Sequence, residues 1–218
     1  MINKKILIQV SALILISGVL SGMIFYTEIF DDVRSRIVSV LCLSCIKLNP
    51  LTSLDFVFET ANDRPHPYFV LHNLTKGPIF LSFRKDICEY CDIMEPVVQD
   101  IFDIYFEKEE TFVKTIDFNG SDIIFIHINT DHAPNEMVEL LHIYNKDKIG
   151  GEEGAVPMFT VITLGYERGF IKPYYTTGYG LLNRDTNEER KELLTNLIVE
   201  AIFLYNENRA GYNLDEMV

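Results

Sequence analysis

The sequence predicts an α/β domain carried behind an apolar amino-terminal segment, and three observations lead there. Residues 79–83 and 123–129 are nearly all apolar, broken only by Ser82, His127 and Asn129, the pattern of strands covered on both faces of a sheet. The stretches that follow them, near 89–105 and 134–145, repeat apolar residues at steps of three and four, the period of helices with one buried stripe. Ahead of both, Ile6 to about Tyr26 carries no charged residue.

The chain has 218 residues, 48% of them hydrophobic, enough for one core of ordinary size and an appendage. A formal net charge of −13 argues against nucleic acid, whose phosphates reward clustered Lys and Arg, and against peripheral binding to anionic lipid. The uncharged run needs about 20 residues at 1.5 Å each to span roughly 30 Å, the thickness of a bilayer core. Lys4 and Lys5 precede it, and Glu28, Asp31 and Asp32 follow it, diluted by Arg34 and Arg36. The positive-inside rule therefore predicts a cytoplasmic amino terminus and an extracytoplasmic remainder. An uncleaved anchor and a cleaved signal peptide compete. The run is longer than a usual signal core, and Ser21-Gly22-Met23 is a poor cleavage site, so the anchor is the reading taken.

Residues 1–5 are then a cytoplasmic start, 6–27 the transmembrane anchor, 28–53 a membrane-proximal segment, 54–210 the folded domain and 211–218 a flexible tail. Within 34–48, apolar residues at helical spacing suggest a short helix near the membrane surface, closed by Asn49-Pro50. The domain opens with a first strand at Asp55–Thr60, a short helix over Tyr68–Thr75 and a strand at Ile79–Phe83. Asp86 and Glu89 have the spacing of a capping box. The helix after them has an expected stripe of Tyr90, Met94, Val97, Val98, Ile101, Phe102 and Tyr105, with a kink at Pro96. Residues 111–121 read as a connecting excursion turning at Asn119-Gly120, before the strand Ile123–Asn129. A helix follows Pro134, then Val156-Pro157-Met158 enters a strand to Thr163, with a hairpin at Gly165–Gly169 and its return at Phe170–Tyr175. A final helix starts near Thr186, where Glu189 completes a second capping box, and runs to about Tyr205.

The chemistry lies at Cys88 and Cys91, between the strand at 79–83 and the helix after it. A thiol attacks as thiolate, so a redox dithiol needs an acidified and accessible first sulfur. A helix start supplies unpaired N–H groups and the positive end of the macrodipole. Arg84 and Lys85 push the same way and Glu89 against. Two intervening residues bring the second sulfur round by one turn, where it resolves a mixed disulfide formed by the first. Taken alone, a Cys-x-x-Cys is equally a structural bridge or half a zinc site.

Two landmarks narrow this. A proline, Pro96, stands five residues after the second cysteine, and Val156-Pro157 enters the strand before the final hairpin. In both, and in element order, residues 54 to about 206 resemble the thioredoxin family. The resemblance implies a thioredoxin-like fold, a central mixed sheet flanked by helices. It also implies Cys88 as nucleophile, Cys91 as resolving thiol, and Pro157 as a cis-proline facing the dithiol with Val156 docking substrate through its backbone. Gly178 stands where the family has a glycine after the hairpin. The sequence departs from the family as well. The usual Trp-Cys-Gly-Pro-Cys is Ile87-Cys88-Glu89-Tyr90-Cys91 here, the chain has no Trp, and the buried carboxylate six residues before the nucleophile is Ser82. His127 falls near the family's companion lysine, which makes it a candidate proton relay; a purely structural histidine is the plainer reading.

Cys42 and Cys45 admit a second redox pair, a structural disulfide or inert thiols, or a four-cysteine metal site completed by Cys88 and Cys91. His66, His72, His132 and His142 lack metal-ligand spacing, and Asn73-Leu74-Thr75 and Asn119-Gly120-Ser121 have the form of glycosylation acceptors. The function expected is a membrane-anchored thiol–disulfide oxidoreductase acting on extracytoplasmic protein disulfides, with no cofactor and no metal. Its partners would be protein thiols and disulfides, and a membrane electron donor or acceptor if Cys42/Cys45 act as a relay. The alternatives are a non-catalytic thioredoxin-like chaperone or adaptor with a structural disulfide, and a metal-binding protein.

Overall fold

The computed structural model describes residues 54–151 and 154–214. The anchor at 6–27, the segment with Cys42 and Cys45, and the end of the tail lie outside the described residues. Among those described, no helix is long and apolar enough to cross a membrane.

The chain is an α/β fold around one mixed sheet of five strands, in the order β2-β3-β1-β4-β5. The strands are β1 (Ile79–Arg84), β2 (Phe112–Phe118), β3 (Ser121–Asn129), β4 (Met158–Glu167) and β5 (Phe170–Tyr179). The helices are α1 (Tyr68–Leu74), α2 (Glu89–Phe102), α3 (Asn135–Tyr144) and α4 (Asn187–Asn208). β1 runs parallel to β3 and antiparallel to β4, while β2 and β3 form an antiparallel hairpin.

Alternation along the central strands assigns each side chain to one of two cores. Phe80, Ile123 and Phe125 join Met94, Val97, Val98, Ile101 and Phe102 of α2 and Leu193, Leu194, Leu197 and Ile198 of α4. Ile79, Leu81, Phe83, Ile124, Ile126 and Ile128 join Val70 and Leu74 of α1 and Leu140, Leu141 and Tyr144 of α3. Both faces of β1 and β3 are thus covered, which is why their sequences are apolar runs instead of alternating ones. On β1 the same alternation turns Ser82 and Arg84 to the side of Phe80, toward α2.

Three differences from the sequence-based expectation have physical causes. Asp55–Thr60 is not a strand; only Val57 bridges Tyr175, while Phe56 and Phe58 stack on the Tyr174 ring with centroids 5.2 and 4.4 Å away. Side-chain stacking holds that segment in place of a ladder. Residues 112–118, expected as an excursion, are β2, the edge strand of a hairpin whose Asn119-Gly120 turn has positive φ at both residues. α2 ends at Phe102 on Asp103, a left-handed cap, so Tyr105 lies beyond it, exposed, and Tyr90 faces outward as well. Cys91 takes the first place in the buried stripe. α4 begins with the expected capping box, Thr186 Oγ1 accepting from Glu189 N–H and Glu189 reaching back to Thr186 N–H.

Candidate functional site

The loop from β1 into α2 delivers Cys88 to the N-cap position, where its sulfur accepts a hydrogen bond from Cys91 N–H at 3.2 Å. Cys88 and Cys91 form a disulfide across one helical turn, their Cα atoms 5.2 Å apart. Cys88 is half-buried and Cys91 only 3% exposed, so the two sulfurs differ in access. Beside them Ile87 stands 98% exposed and Tyr90 is exposed too.

The expected Asp86–Glu89 capping box does not form, because Cys88 is the cap and Asp86 is engaged elsewhere. Asp86 carboxylate accepts from Asn129 Nδ2 at 2.7 Å and pairs with His132 Nε2 at 2.9 Å, and its own N–H donates to Asp131 at 2.8 Å. The Asn129 hydrogen bond is the main reason that its carboxyl sits below the ordinary carboxylate pKa, with His132 acting in the same sense. Asn129, fully buried at the end of β3, also donates to the Lys108 carbonyl at 2.6 Å. One amide thereby ties the loop before the dithiol to the loop after α2.

Arg84, expected to help acidify Cys88, is paired with carboxylates of the dithiol helix. Its side chain, 2% exposed, reaches along α2 instead, donating through one Nη to Glu95 and through the other to Asp92 at 3.1 Å. Its Nε–H has no partner. Glu95 accepts a further hydrogen bond from Gln99 Nε2 at 3.3 Å. The positive charge at the end of β1 is therefore neutralised by two carboxylates on the dithiol helix.

Beneath the disulfide lies a cavity of about 10 Å³ lined by Cys91, Ser82, Arg84, Glu95, His127 and Pro157 among others. The Val156–Pro157 peptide is cis, and the Pro157 carbonyl accepts from Gly180 N–H at 2.9 Å. Val156 packs partly buried against the α1–α3 core. The fold thus gathers Cys88, Cys91, Pro157 and His127, which the sequence singled out separately. His127 pairs in register with Ser82 across β1 and β3. It is 2% exposed and packed on the rings of Phe106 and Phe112, 4.3 and 5.4 Å between centroids. Neither of its nitrogens has a hydrogen-bond partner. Burial first, and the Arg84 charge second, push its pKa down to about 3; it is a neutral imidazole at physiological pH.

Two residues escaped the sequence reading, Glu95 and Asn129. Glu95 was legible in principle, four residues after Cys91 and so on the same helical face; Asn129 was not, since nothing in a strand-end asparagine announces its partners. Gly178 lies within β5, where a Cβ would come within 2.5 Å of Leu182 Cδ2. Among the described residues no group of three or more His, Cys, Asp or Glu is placed to hold a metal ion, and the four-cysteine alternative needs Cys42 and Cys45, outside them.

A mixed sheet flanked by helices, with a Cys-x-x-Cys disulfide at a helix start, is compatible with a thioredoxin-like fold. Comparison with known protein families, curated proteins and solved structures finds none that the chain matches.

Proposed function

We propose that this chain is a membrane-anchored thiol–disulfide oxidoreductase of thioredoxin-like architecture, acting on extracytoplasmic protein disulfides. The observation that carries the reading is the asymmetry of the dithiol: a half-buried Cys88 at the N-cap of α2 and a Cys91 only 3% exposed one turn below it. Cys88 thiolate attacks a substrate disulfide, giving a mixed disulfide and a released substrate thiolate. Cys91 thiolate then attacks Cys88 Sγ, the Cys88–substrate bond breaks, and the substrate leaves reduced as the Cys88–Cys91 bond forms. Run in reverse, the same steps oxidise a substrate dithiol. Val156 and Pro157 are the proposed docking edge for extended substrate, with exposed Ile87 and Tyr90 beside the reactive sulfur. The uncharged segment at 6–27 supports the anchor and the extracytoplasmic address, and Cys42/Cys45 are the natural relay to a membrane partner.

Trapping tests the reading. With Cys91→Ser, mixed disulfides through Cys88 should accumulate with partner proteins. If Cys88→Ser leaves insulin reduction and disulfide refolding unchanged, the enzymatic reading fails. Ser82, standing where relatives of this architecture carry a carboxylate, favours a second reading, a non-catalytic adaptor with a structural bond. A reduction potential below about −300 mV would mark that case.

A further inference from the structure

A buried thiol that must become a thiolate needs a group to take its proton and a way for that proton to leave. Four polar side chains share the cavity with Cys91: Ser82, Arg84, Glu95 and His127. A guanidinium does not accept a proton and a serine hydroxyl is too weak a base, which leaves the carboxylate and the imidazole.

Their surroundings differ in the respect that matters. His127 is enclosed by Phe106, Phe112 and Phe125 and faces the Arg84 charge. A proton placed on it would create a second buried cation beside the first, and His127 does not line the open groove itself. Glu95 lines the inner cavity and also a second, open groove of about 360 Å³, where it stands with Asp92, Pro96, Tyr105, Glu107, Lys108 and Glu109. Its side chain is 21% exposed. Only Glu95, of the two, touches both Cys91's cavity and the solvent side. The inner space, about 10 Å³, matches roughly one water molecule, enough for a single hydrogen-bonded bridge between sulfur and carboxylate. Arg84 fixes the carboxylate from one side and Gln99 from the other. Arg84, whose Nε–H has no partner, lines the same cavity and brings positive charge to the space beside Cys91.

We infer that Glu95, held by Arg84, is the proton carrier of the resolving thiol, an assignment that rests on the disulfide-exchange reading above. In resolution the Cys91 S–H bond breaks and its proton passes to the Glu95 carboxylate. The Cys91 sulfur attacks Cys88 Sγ, the Cys88–substrate sulfur bond breaks, and the substrate departs as thiolate. Glu95 then releases the proton to the groove. In the reverse direction Glu95 returns a proton to Cys91 as that sulfur leaves. Arg84 is a positioning residue in both.

The test uses the full chain in a Cys42→Ser, Cys45→Ser background, so that one dithiol reports. The reduced protein is mixed with glutathione disulfide, quenched with acid at intervals, and the single-glutathione adduct on Cys88 followed by mass spectrometry from pH 6 to 9. In the parent background the adduct should be transient. Glu95→Gln, which keeps an oxygen for Arg84, should form the adduct at a comparable rate but resolve it about 100-fold more slowly at pH 7. The deficit should shrink as pH rises through the ordinary thiol range near 8.5, where solvent takes the proton unaided. Glu95→Asp should recover much of the rate. Equal resolution in the parent and Glu95→Gln at pH 7 overturns the assignment. So does a slowing that is the same at every pH, which would mark a structural effect. Slowing by His127→Leu but not by Glu95→Gln also overturns it, moving the relay to the imidazole. If the parent yields neither the adduct nor the Cys88–Cys91 disulfide, the exchange reading itself fails, and the proton assignment falls with it.

Discussion

His127 makes folding stability depend on pH in a way that can be worked out in advance. In the unfolded chain its imidazole titrates at the ordinary 6.5, whereas in the folded domain its pKa is about 3, because burial and the Arg84 charge disfavour the cation. The folded pKa lies below the unfolded one. Between pH 6.5 and 3, therefore, the unfolded chain binds a proton that the folded chain refuses, and stability falls as pH falls through that window. Above 6.5 the contribution is fully present. Each proton of difference is worth about 1.4 kcal/mol per pH unit, so the loss from this one histidine between pH 7 and 5 is about 2 kcal/mol. His66, whose Nδ1 faces Tyr144 hydroxyl at 3.0 Å, is pushed down by burial to about 4, and adds a loss of similar size, about 2 kcal/mol, over the same range. Urea unfolding at half-unit steps from pH 5 to 7.5 should show a slope that is small above pH 7 and climbs toward about two protons near pH 5. His127→Leu, close in volume and without the two unpartnered nitrogens, should lower that slope by about one proton. At pH 7 it should also raise stability by about 1 kcal/mol, through removal of an unsatisfied buried group. A His127→Leu protein with the parent's slope would refute the reasoning, since it would mean that His127 titrates near 6.5 in the folded state.

Other expectations follow from single contacts. Asn129→Ala should cost about 2–4 kcal/mol in urea unfolding, because it removes two buried donor bonds, one of them to a carboxylate. The same change should raise the Asp86 pKa toward its ordinary value, since that hydrogen bond is the main cause of the depression; NMR titration of the carboxyl carbon reads this. In the parent, the Asp86 contribution should be present above about pH 4 and fade as pH falls through its depressed value. Thr186→Ala should cost about 1 kcal/mol by opening the α4 capping box. The Glu189 pKa should stay below its ordinary value, because the Thr186 and Asp185 backbone N–H groups that chiefly hold it down survive the change. Phe80→Ala, at a fully buried ring in contact with Phe102 and Phe125, should cost about 3–5 kcal/mol by thermal or urea unfolding.

Legibility in the sequence followed how local the determining interaction is. The two central strands were readable because burial on both faces leaves a nearly continuous apolar run. The α4 start was readable because Thr186 and Glu189 carry both halves of their own cap. β2 was not, although its strongest signal was present: Asn119-Gly120 was recognised as a turn, and Phe112, Lys114, Ile116 and Phe118 flank it, but the exposed edge strand mixes charge into its alternation. The segment at 55–60 failed in the opposite direction. Its alternating phenylalanines look like a strand and are spent on Tyr174 instead of on a ladder. Asp86 looked like a cap and became a hydrogen-bond partner of Asn129, 43 residues away, a pairing that only the fold creates. At the site, spacing marks Cys88 and Cys91 as a pair and the prolines Pro96 and Pro157 narrow what the pair is, whereas the destination of Arg84 depends on which way β1 alternates relative to α2.

That alternation links the charge of the site to its sulfur chemistry. Ser82 and Arg84 lie two apart on β1 and so face α2 together, one leaving space beneath Cys91 and the other bringing a buried cation to its edge. A buried guanidinium requires carboxylates, and the helix supplies them at Asp92 and Glu95, the positions one and four beyond Cys91. Helical periodicity then leaves no separate place for them. Residues that neutralise Arg84 must stand on or next to the face that carries Cys91. The serine on the strand is thus accompanied by a buried cation on the same strand and an acid on the helix. Arg84 from the strand meets two carboxylates from the helix, and the one of them that lines both the cavity at Cys91 and the open groove is Glu95.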